Sequence, residues 1–267
     1  MRNLIYQYWD GNILPGVTAG SECMKEYAAR IGAEYLFELN PRFVTNLGSY
    51  SPHYGSFKPI YTDSFHEYDN VLFTDTDVFP VDGLEENVFE NFTAEMGICT
   101  EPFQPEQRKK IPGQISGAMD EKWAKVIKSH WGANMPRTPE GLLKVYNSGV
   151  VMYSNKGLKA ARERFVPFKE YVDIIKSSGV SNFYTADQNY VHAMLTVAKM
   201  DYVELHPGWN SFIHPYHIDA SKTATKINDS RTEDTKFVHI QLRSADHWDA
   251  ATQHRIANLP QSEWNIK

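Results

Sequence analysis

The sequence has little cysteine, no long apolar segment and no concentration of positive charge. Two cysteines among 267 residues are too few for a disulfide framework or a structural zinc site. No apolar run approaches the ~20 residues that a membrane-spanning helix needs. The 27 basic residues are outnumbered by 33 acidic ones, and the longest basic cluster is the triplet at 108–110. These features argue against duplex nucleic acid as a partner, because it is bound through concentrated positive charge.

The chain also lacks internal repeats, low-complexity tracts and any linker that would divide it. Its first three residues lead into a strand-like run without the apolar core of a secretory signal, so we expect a soluble, cytoplasmic protein. A mass of 30.6 kDa with 42% hydrophobic residues fits one compact domain with a buried core. We therefore expect a single domain over residues 1–267.

Short apolar strands alternate with segments of helical periodicity from the start of the chain. This alternation is typical of an α/β fold with a central, mostly parallel sheet flanked by helices. Strands are predicted at 4–8, 34–39, 71–74, 145–153, 202–205 and 237–241. A loop-rich segment at about 100–139, with a helix from Asp120, is predicted to be an insertion over the sheet. A polar loop is predicted at 214–234.

Two helix starts carry capping signals. Asn155 is predicted to cap a helix whose apolar face extends over 165–175, with a bend at Pro167. Thr185 and Gln188 have the spacing of a capping box, in which each side chain would bond the backbone of the other residue.

The acidic pattern Asp75-Thr76-Asp77 directly follows the apolar strand at 71–74. Alone the pattern is weak, because about one such match is expected from composition. Residues i and i+2 of an extended segment point to the same side, so both carboxylates would lie at the carboxyl edge of the sheet, where open α/β sheets bind ligands. Two adjacent carboxylates repel each other unless a cation lies between them, and hard divalent ions bind carboxylates together with phosphates. The context predicts that the two carboxylates bind a metal ion that in turn binds a diphosphate. The alternative is an acidic strand end that is simply solvated.

Four segments in the same order resemble one group of enzymes. They are 68–78, which contains the acidic pair, and 146–150, 186–189 and 236–239. The sequence is similar to nucleotide-sugar-dependent glycosyltransferases of the GT-A fold. It is most similar to glycosyltransferase family 8, the glycogenin and lipopolysaccharide galactosyltransferase family. The resemblance implies a Rossmann-like GT-A domain. It also implies transfer of a sugar from a nucleotide diphosphate sugar, usually a UDP-sugar, to a glycan or other hydroxyl acceptor.

Carried over by position, the resemblance implies that Asp75, Asp77 and His239 bind Mn²⁺ or Mg²⁺. A histidine nitrogen among oxygen ligands favours Mn²⁺. Without the resemblance, a strand-end histidine bonded to a neighbour would be the simpler interpretation of His239. Lys58 and Thr76 are expected to contact the donor, although Lys58 could also be an ordinary surface lysine.

The two middle motifs imply residues around the donor sugar. Asn147 and Gly149 lie in a predicted apolar strand, where an amide reaches a ligand or is locked in a backbone bond and where glycine permits close approach. Asp187 and Gln188 would face the sugar as catalytic residues. Their alternative role is local, because Gln188 fits the capping box and Asp187 favours the helix dipole.

Two segments depart from the family pattern. After its histidine the family usually continues as H-x-x-G-x-x-K-P-W, whereas this chain lacks the glycine and the lysine, and Trp248 comes one position late. The family lysine contacts the diphosphate, so either Arg243 replaces it or the contact is absent. The first strand also departs from the pattern, and there Tyr6 or Tyr8 could stack on the nucleobase or belong to the core.

Family 8 enzymes retain the anomeric configuration, and the leaving phosphate can itself accept the proton of the acceptor. An inverting enzyme would instead need a carboxylate base, for which Glu101 and Asp120 are the candidates. The insertion contributes Phe103, Trp123 and Trp131, whose rings could pack on an acceptor sugar or simply hold the insertion down.

Two other functions are compatible with parts of the sequence. A phosphatase of the haloacid dehalogenase type also has a D-x-D pattern after a strand, but it leaves Asn147, Gly149 and His239 unexplained. A nucleotide- or sugar-binding module without catalysis would account for the missing glycine and lysine. It would bind a nucleotide with metal and turn over no donor.

Overall fold

A computed structural model of the chain describes residues 1–104, 108, 115–217, 224–242 and 245–264. The strands are β1 Asn3–Trp9, β2 Glu34–Leu39, β3 Asn70–Thr74, β4 Val78–Pro80, β5 Met96–Thr100, β6 Tyr146–Ser154, β7 Tyr202–Glu204, β8 Ser211–His217, β9 Ala224–Asp229 and β10 Phe237–Ile240. The helices are α1 Pro15–Arg30, α2 Lys58–Tyr61, α3 Gly117–Trp131, α4 Asn155–Arg164, α5 Phe168–Ser177, α6 Asp187–Val197 and α7 Ala250–Asn258. Within these ranges, none of the helices has both the length and the apolar character needed to cross a membrane.

Two sheets organise the molecule. The larger has six strands in the order β2-β1-β3-β6-β5-β7, and the smaller has four in the order β4-β10-β8-β9. In the larger sheet β1 is parallel to β2 and β3, and β5 is parallel to β7, whereas β6 runs antiparallel to β3 and β5. This arrangement confirms the predicted α/β fold with a mixed, mostly parallel central sheet.

The central strands bury both of their faces. On β3, Val71 and Phe73 belong to one core cluster and Leu72 belongs to another. On β1, Tyr6 and Ile5 divide between the same two clusters. Successive side chains of a strand point to opposite faces, so a strand covered on both sides needs an unbroken apolar run. The apolar sequences of β1 and β3 therefore specify the middle of the sheet.

The helix predicted around 165–175 is two helices. α4 ends at Arg164 and α5 begins at Phe168, because Pro167 cannot donate a backbone hydrogen bond in a continuous helix. The predicted cap of α4 is also wrong by one residue. Ser154 is the N-cap and its hydroxyl accepts a bond from the Gly157 amide. The Asn155 side chain instead donates to the carbonyl oxygens of His66 and Tyr68.

The predicted capping box at the start of α6 does not form. Ala186 is the N-cap residue and makes no side-chain cap bond. The Thr185 hydroxyl donates to the Asn182 carbonyl oxygen at 2.7 Å, and the Gln188 side chain bonds to two other side chains described below. The local explanation for Gln188 is therefore wrong.

The predicted polar loop at 214–234 contains strand structure. β8 and β9 pair antiparallel there, and residues 218–223 between them lie outside the described residues. β9 is an edge strand, in which Ile227 packs inwards while Lys226 is exposed. A half-polar edge strand contains no hydrophobic run, which explains why the sequence pattern does not predict it.

The helix of the segment 100–139 packs into the main core. α3 begins at Gly117 after the N-cap Ser116, slightly earlier than predicted. Trp123 is 1% exposed and donates its indole N–H to the Tyr171 hydroxyl at 3.0 Å. Trp123 therefore holds α3 against the domain, which is the second of the two predicted alternatives for this residue.

A buried histidine predicts how stability depends on pH. His192 on α6 is 3% exposed and lies against Trp123 and Tyr146. Burial, and secondarily the charge of Arg108, lowers the pKa of His192 to about 3. The unfolded chain binds a proton at this histidine below its ordinary pKa of about 6.5, whereas the folded chain does not until about pH 3.

We expect His192→Leu to weaken the loss of stability in acid. Between about pH 6 and pH 3, His192 should lower the free energy of unfolding by up to about 1.4 kcal/mol per pH unit. Urea unfolding at several pH values measures this slope, with His130→Leu as a control at an exposed position of α3. Parallel stability curves for wild type and His192→Leu would contradict the assignment.

Candidate metal and donor site

Three side chains with metal-binding atoms meet where the two sheets adjoin. One ligand atom each from Asp75, Asp77 and His239 lies within 4.8 Å of the other two. The His239 Nε2 atom is 3.1 Å from Asp77 Oδ1 and 3.8 Å from Asp75 Oδ2. The predicted grouping of these three residues is therefore present in the structure.

Backbone pairing brings this group together. Asp75 and Asp77 lie in the short connection between β3 and β4, and His239 lies on β10. β4 runs antiparallel to β10 with Val78 opposite His239, and the Ile240 amide donates to the Asp77 carbonyl oxygen at 2.9 Å. The histidine is thus held next to the acidic loop by the hydrogen bonds of the smaller sheet.

Two glycines permit the close approach of the elements around the acidic loop. A Cβ atom at Gly20 of α1 would lie 1.9 Å from the Thr76 carbonyl oxygen. A Cβ atom at Gly149 of β6 would lie 2.4 Å from His239 Cε1 and 2.9 Å from Asp75 Oδ2. A side chain at position 149 would overlap His239 and Asp75, which explains why this predicted position is a glycine.

The electrostatics of the group suit a divalent cation. Burial, and then the charge of Asp77, raises the pKa of Asp75 to about 7. Burial lowers the pKa of His239, but the carboxylates of Asp77 and Asp75 outweigh it and the net pKa is raised. The charge of Asp77 contributes to both pKa shifts, in Asp75 after burial. Two carboxylate oxygens and one imidazole nitrogen facing one point are a donor set that fits Mn²⁺ or Mg²⁺, and the nitrogen favours Mn²⁺.

A cavity of about 310 Å³ opens beside the acidic group. It lies at the carboxyl ends of the neighbouring parallel strands β1 and β3, where open α/β sheets bind ligands. Its described lining consists of Tyr8, Trp9, Asp10, Pro52, His53, Asp75, Thr76, Asp77 and Asp246. The predicted donor contacts Tyr8 and Thr76 are thus part of this lining.

Two other predicted donor contacts lie away from the lining. Tyr6 is completely buried and donates its hydroxyl to Glu38 at 2.8 Å. The Lys58 ammonium group pairs with the same carboxylate at 2.5 Å. Tyr6 and Tyr8 share one face of β1. Only Tyr8 lies at the strand end beside the cavity, where its hydroxyl is 2.9 Å from the carbonyl oxygens of Pro52 and His53. Arg243 lies outside the described residues.

The remaining predicted residues are polar and at least partly buried. Asn147 is 2% exposed and donates to Gln188 Oε1 at 3.0 Å. Gln188 in turn donates to Glu101 Oε1 at 2.8 Å. Asp187 is also buried, and burial raises its pKa while nearby His53 and a bond from Ser148 oppose the shift.

Both carboxylates considered as a catalytic base are held by other side chains. Asp120 is 3% exposed and accepts bonds from Arg108 and Tyr184, each at 2.6 Å. Glu101 accepts the bond from Gln188, and its second oxygen lies 3.8 Å from Arg108. Neither carboxylate is among the described residues that line the cavity.

Sequence reasoning missed several polar residues of the site. Asn210 Oδ1 lies 3.1 Å from His239 Nδ1, and the Gln241 amide nitrogen lies 3.3 Å from His239 Nε2. Gln7 donates to the Asp75 carbonyl oxygen at 2.8 Å. Asp246 lines the cavity, and burial followed by the charge of Asp77 raises its pKa. Asn210 does not belong to any motif that we recognised. The sequence shows only that a polar residue stands directly before a strand.

No protein-family model and no curated protein matches the sequence. Solved structures match nearly the whole chain. A glycosyltransferase involved in the glycosylation of the major capsid of PBCV-1 is 12% identical over 96% of this chain and 98% of its own, with a TM-score of 0.50. The galactosyltransferase LgtC, in complex with donor and acceptor sugar analogs, is 14% identical over 97% of this chain and 98% of its own, with a TM-score of 0.52.

Mouse xyloside xylosyltransferase 1 in its apo form is 13% identical over 90% of this chain and 97% of its own, with a TM-score of 0.50. Identities this low establish the fold alone. The fold predicted from the sequence is confirmed: the chain has the GT-A fold of these glycosyltransferases. The Asp75, Asp77 and His239 group lies beside the cavity at the carboxyl ends of β1 and β3.

Proposed function

We propose that this protein is a metal-dependent glycosyltransferase that moves a sugar from a nucleotide diphosphate sugar, a UDP-sugar by resemblance, to a glycan or other hydroxyl acceptor. The observation that carries the proposal is the convergence of Asp75, Asp77 and His239 beside a cavity of about 310 Å³. The fold shared with glycosyltransferases supports the reaction class.

The reaction breaks the bond between the anomeric carbon and a phosphate oxygen, so negative charge grows on the leaving diphosphate. A divalent cation, when bound, supplies a Lewis acid for that charge. Asp75, Asp77 and His239 would hold this cation. Because Gly149 has no side chain, the ligand atoms of these residues have room to converge next to it. Tyr8 and Trp9 also line the cavity, where a nucleobase could pack against their rings.

Both candidate bases are paired with an arginine, and this supports retention of the anomeric configuration. Glu101 and Asp120 are both engaged with Arg108, and Asp120 is almost fully buried. A general base must reach the proton that it removes. In a retaining reaction the leaving phosphate takes the proton of the acceptor, and Asp187 with Gln188 would contact the transferred sugar from the first turn of α6.

We expect a nucleotide diphosphate sugar to stabilise the protein only when Mn²⁺ is present. At 100 times its dissociation constant, a ligand that binds the folded state alone adds about 2.7 kcal/mol to the free energy of unfolding. Thermal-shift measurements over a panel of nucleotide sugars, with and without Mn²⁺, test this expectation. Asp77→Asn should abolish the shift, because the variant keeps the size of the side chain and removes its charge.

Asp82→Asn is the matched control, since Asp82 lies just after β4, is 63% exposed and pairs with His254. It should leave the metal-dependent shift unchanged. Stabilisation without metal, or an undiminished shift in Asp77→Asn, would contradict the proposed site.

We expect the product of transfer to have the same anomeric configuration as the donor sugar. Proton NMR of the anomeric signal early in the reaction distinguishes the two outcomes, because mutarotation of a glycoside product does not occur. The physical reason is the absence of a free carboxylate base at Glu101 and Asp120. An inverted product, together with loss of activity in Glu101→Gln, would identify Glu101 as a base and overturn the retaining mechanism.

The same assay separates the other functions. Metal-dependent nucleotide binding without turnover of any donor sugar would identify a binding module. Hydrolysis of a simple phosphate ester without a nucleotide sugar would identify a phosphatase.

A further inference from the structure

A series of hydrogen-bonded side-chain amides connects Glu101 with His239. Gln188 Nε2 lies 2.8 Å from Glu101 Oε1, and Asn147 Nδ2 lies 3.0 Å from Gln188 Oε1. Asn210 Nδ2 lies 2.9 Å from Asn147 Oδ1, and His239 Nδ1 lies 3.1 Å from Asn210 Oδ1. Asn147, Asn210 and His239 are each at most 2% exposed. We call these five residues the amide series.

The direction of donation along the amide series is fixed at two points. The Glu101 carboxylate, which pairs with Arg108 at 3.8 Å, accepts hydrogen bonds, so Gln188 turns its NH₂ group towards it. The backbone N–H of Gly149 can only donate, and it bonds Asn147 Oδ1 at 2.8 Å. Both constraints give Asn147 the same orientation, with its oxygen towards Asn210.

This orientation decides which nitrogen of His239 carries the proton. Because Asn210 donates its NH₂ group to Asn147, it presents its oxygen to His239 Nδ1. An amide oxygen only accepts, so Nδ1 is the protonated nitrogen of the neutral ring. The lone pair then lies on Nε2, which is the atom that faces Asp77 and Asp75.

We propose that Asn210 is a positioning residue that holds His239 in its Nδ1–H tautomer with Nε2 ready to bind the cation, and that Asn147 serves to orient Asn210. The inference rests on the proposed metal site. It assigns Asn147 an orienting role within the protein in place of the predicted contact with the donor.

The opposite tautomer is the competing state that Asn210 excludes. With the proton on Nε2, the ring would donate to Asp77, whose Oδ1 is only 3.1 Å away, and Nε2 would have no lone pair for a metal. That state would also leave Nδ1 and the Asn210 oxygen as two facing acceptors in a buried position. A buried acceptor without a donor is destabilising, so the amide series opposes this state.

The test measures the tautomer directly in the metal-free protein. Long-range ¹H–¹⁵N NMR in alkaline buffer, where the ring is neutral, distinguishes protonated from unprotonated ring nitrogens, and His239→Gln identifies the signals of this residue. Wild type should show Nδ1–H. Asn210→Leu, which is similar in size and cannot accept a bond, should shift the ring towards Nε2–H, and its Mn²⁺ affinity should fall about 10- to 100-fold.

Two variants separate this role from a general effect on folding. Asn210→Asp keeps an oxygen next to Nδ1 and should retain the wild-type tautomer. Asn70→Leu removes another buried amide, bonded to Asn3 on β1, and should leave both the tautomer and Mn²⁺ affinity unchanged. An unaltered tautomer in folded Asn210→Leu would overturn the inference even if the protein binds Mn²⁺. Absence of Mn²⁺ binding in wild type would overturn the metal site, whichever tautomer is observed.

Discussion

The repulsion between Asp75 and Asp77, held beside His239, is the constraint on which the rest of the site depends. The backbone imposes this crowding: β3 delivers Asp75 from the larger sheet, and the pairing of β4 with β10 sets His239 against the same loop. The raised pKa of Asp75 reflects burial and the unfavourable charge of its neighbour. Holding these carboxylates together without a cation destabilises the folded protein. A divalent cation between them would make the same geometry favourable.

Two different environments surround this group. On one side, the hydrogen bonds of the amide series all have a defined direction of donation. Gly149 leaves the space for this series, and its N–H donates to Asn147. In front of it, the cavity at the ends of β1 and β3 offers aromatic rings and carboxylates to a ligand. Under the proposed function, one side of the group would orient the ligand atoms and the open side would receive the nucleotide sugar. Preorganisation of this kind is what electrostatic stabilisation of a leaving group requires.

The acidic pair could be predicted from the sequence because two carboxylates at alternate positions after a buried strand lie together at the end of that strand. His239 is 162 positions beyond Asp77 in the chain, and only the family resemblance connected the two. Asn210 could not be found, since its role comes from the meeting of separate elements in space. Gln188 was ambiguous for a local reason: its spacing from Thr185 fits a capping box, yet tertiary hydrogen bonds to Asn147 and Glu101 prevailed. Edge strand β9 was missed because a half-polar strand carries little hydrophobic signal.

A crystal structure of the protein grown with Mn²⁺ and a nucleoside diphosphate, with data collected at the manganese absorption edge, tests the central claim most directly. The account predicts one anomalous peak bonded to carboxylate oxygens of Asp75 and Asp77 and to Nε2 of His239, with the diphosphate oxygens completing the coordination shell. A peak elsewhere, or these three side chains turned away from one another around an empty centre, would contradict it.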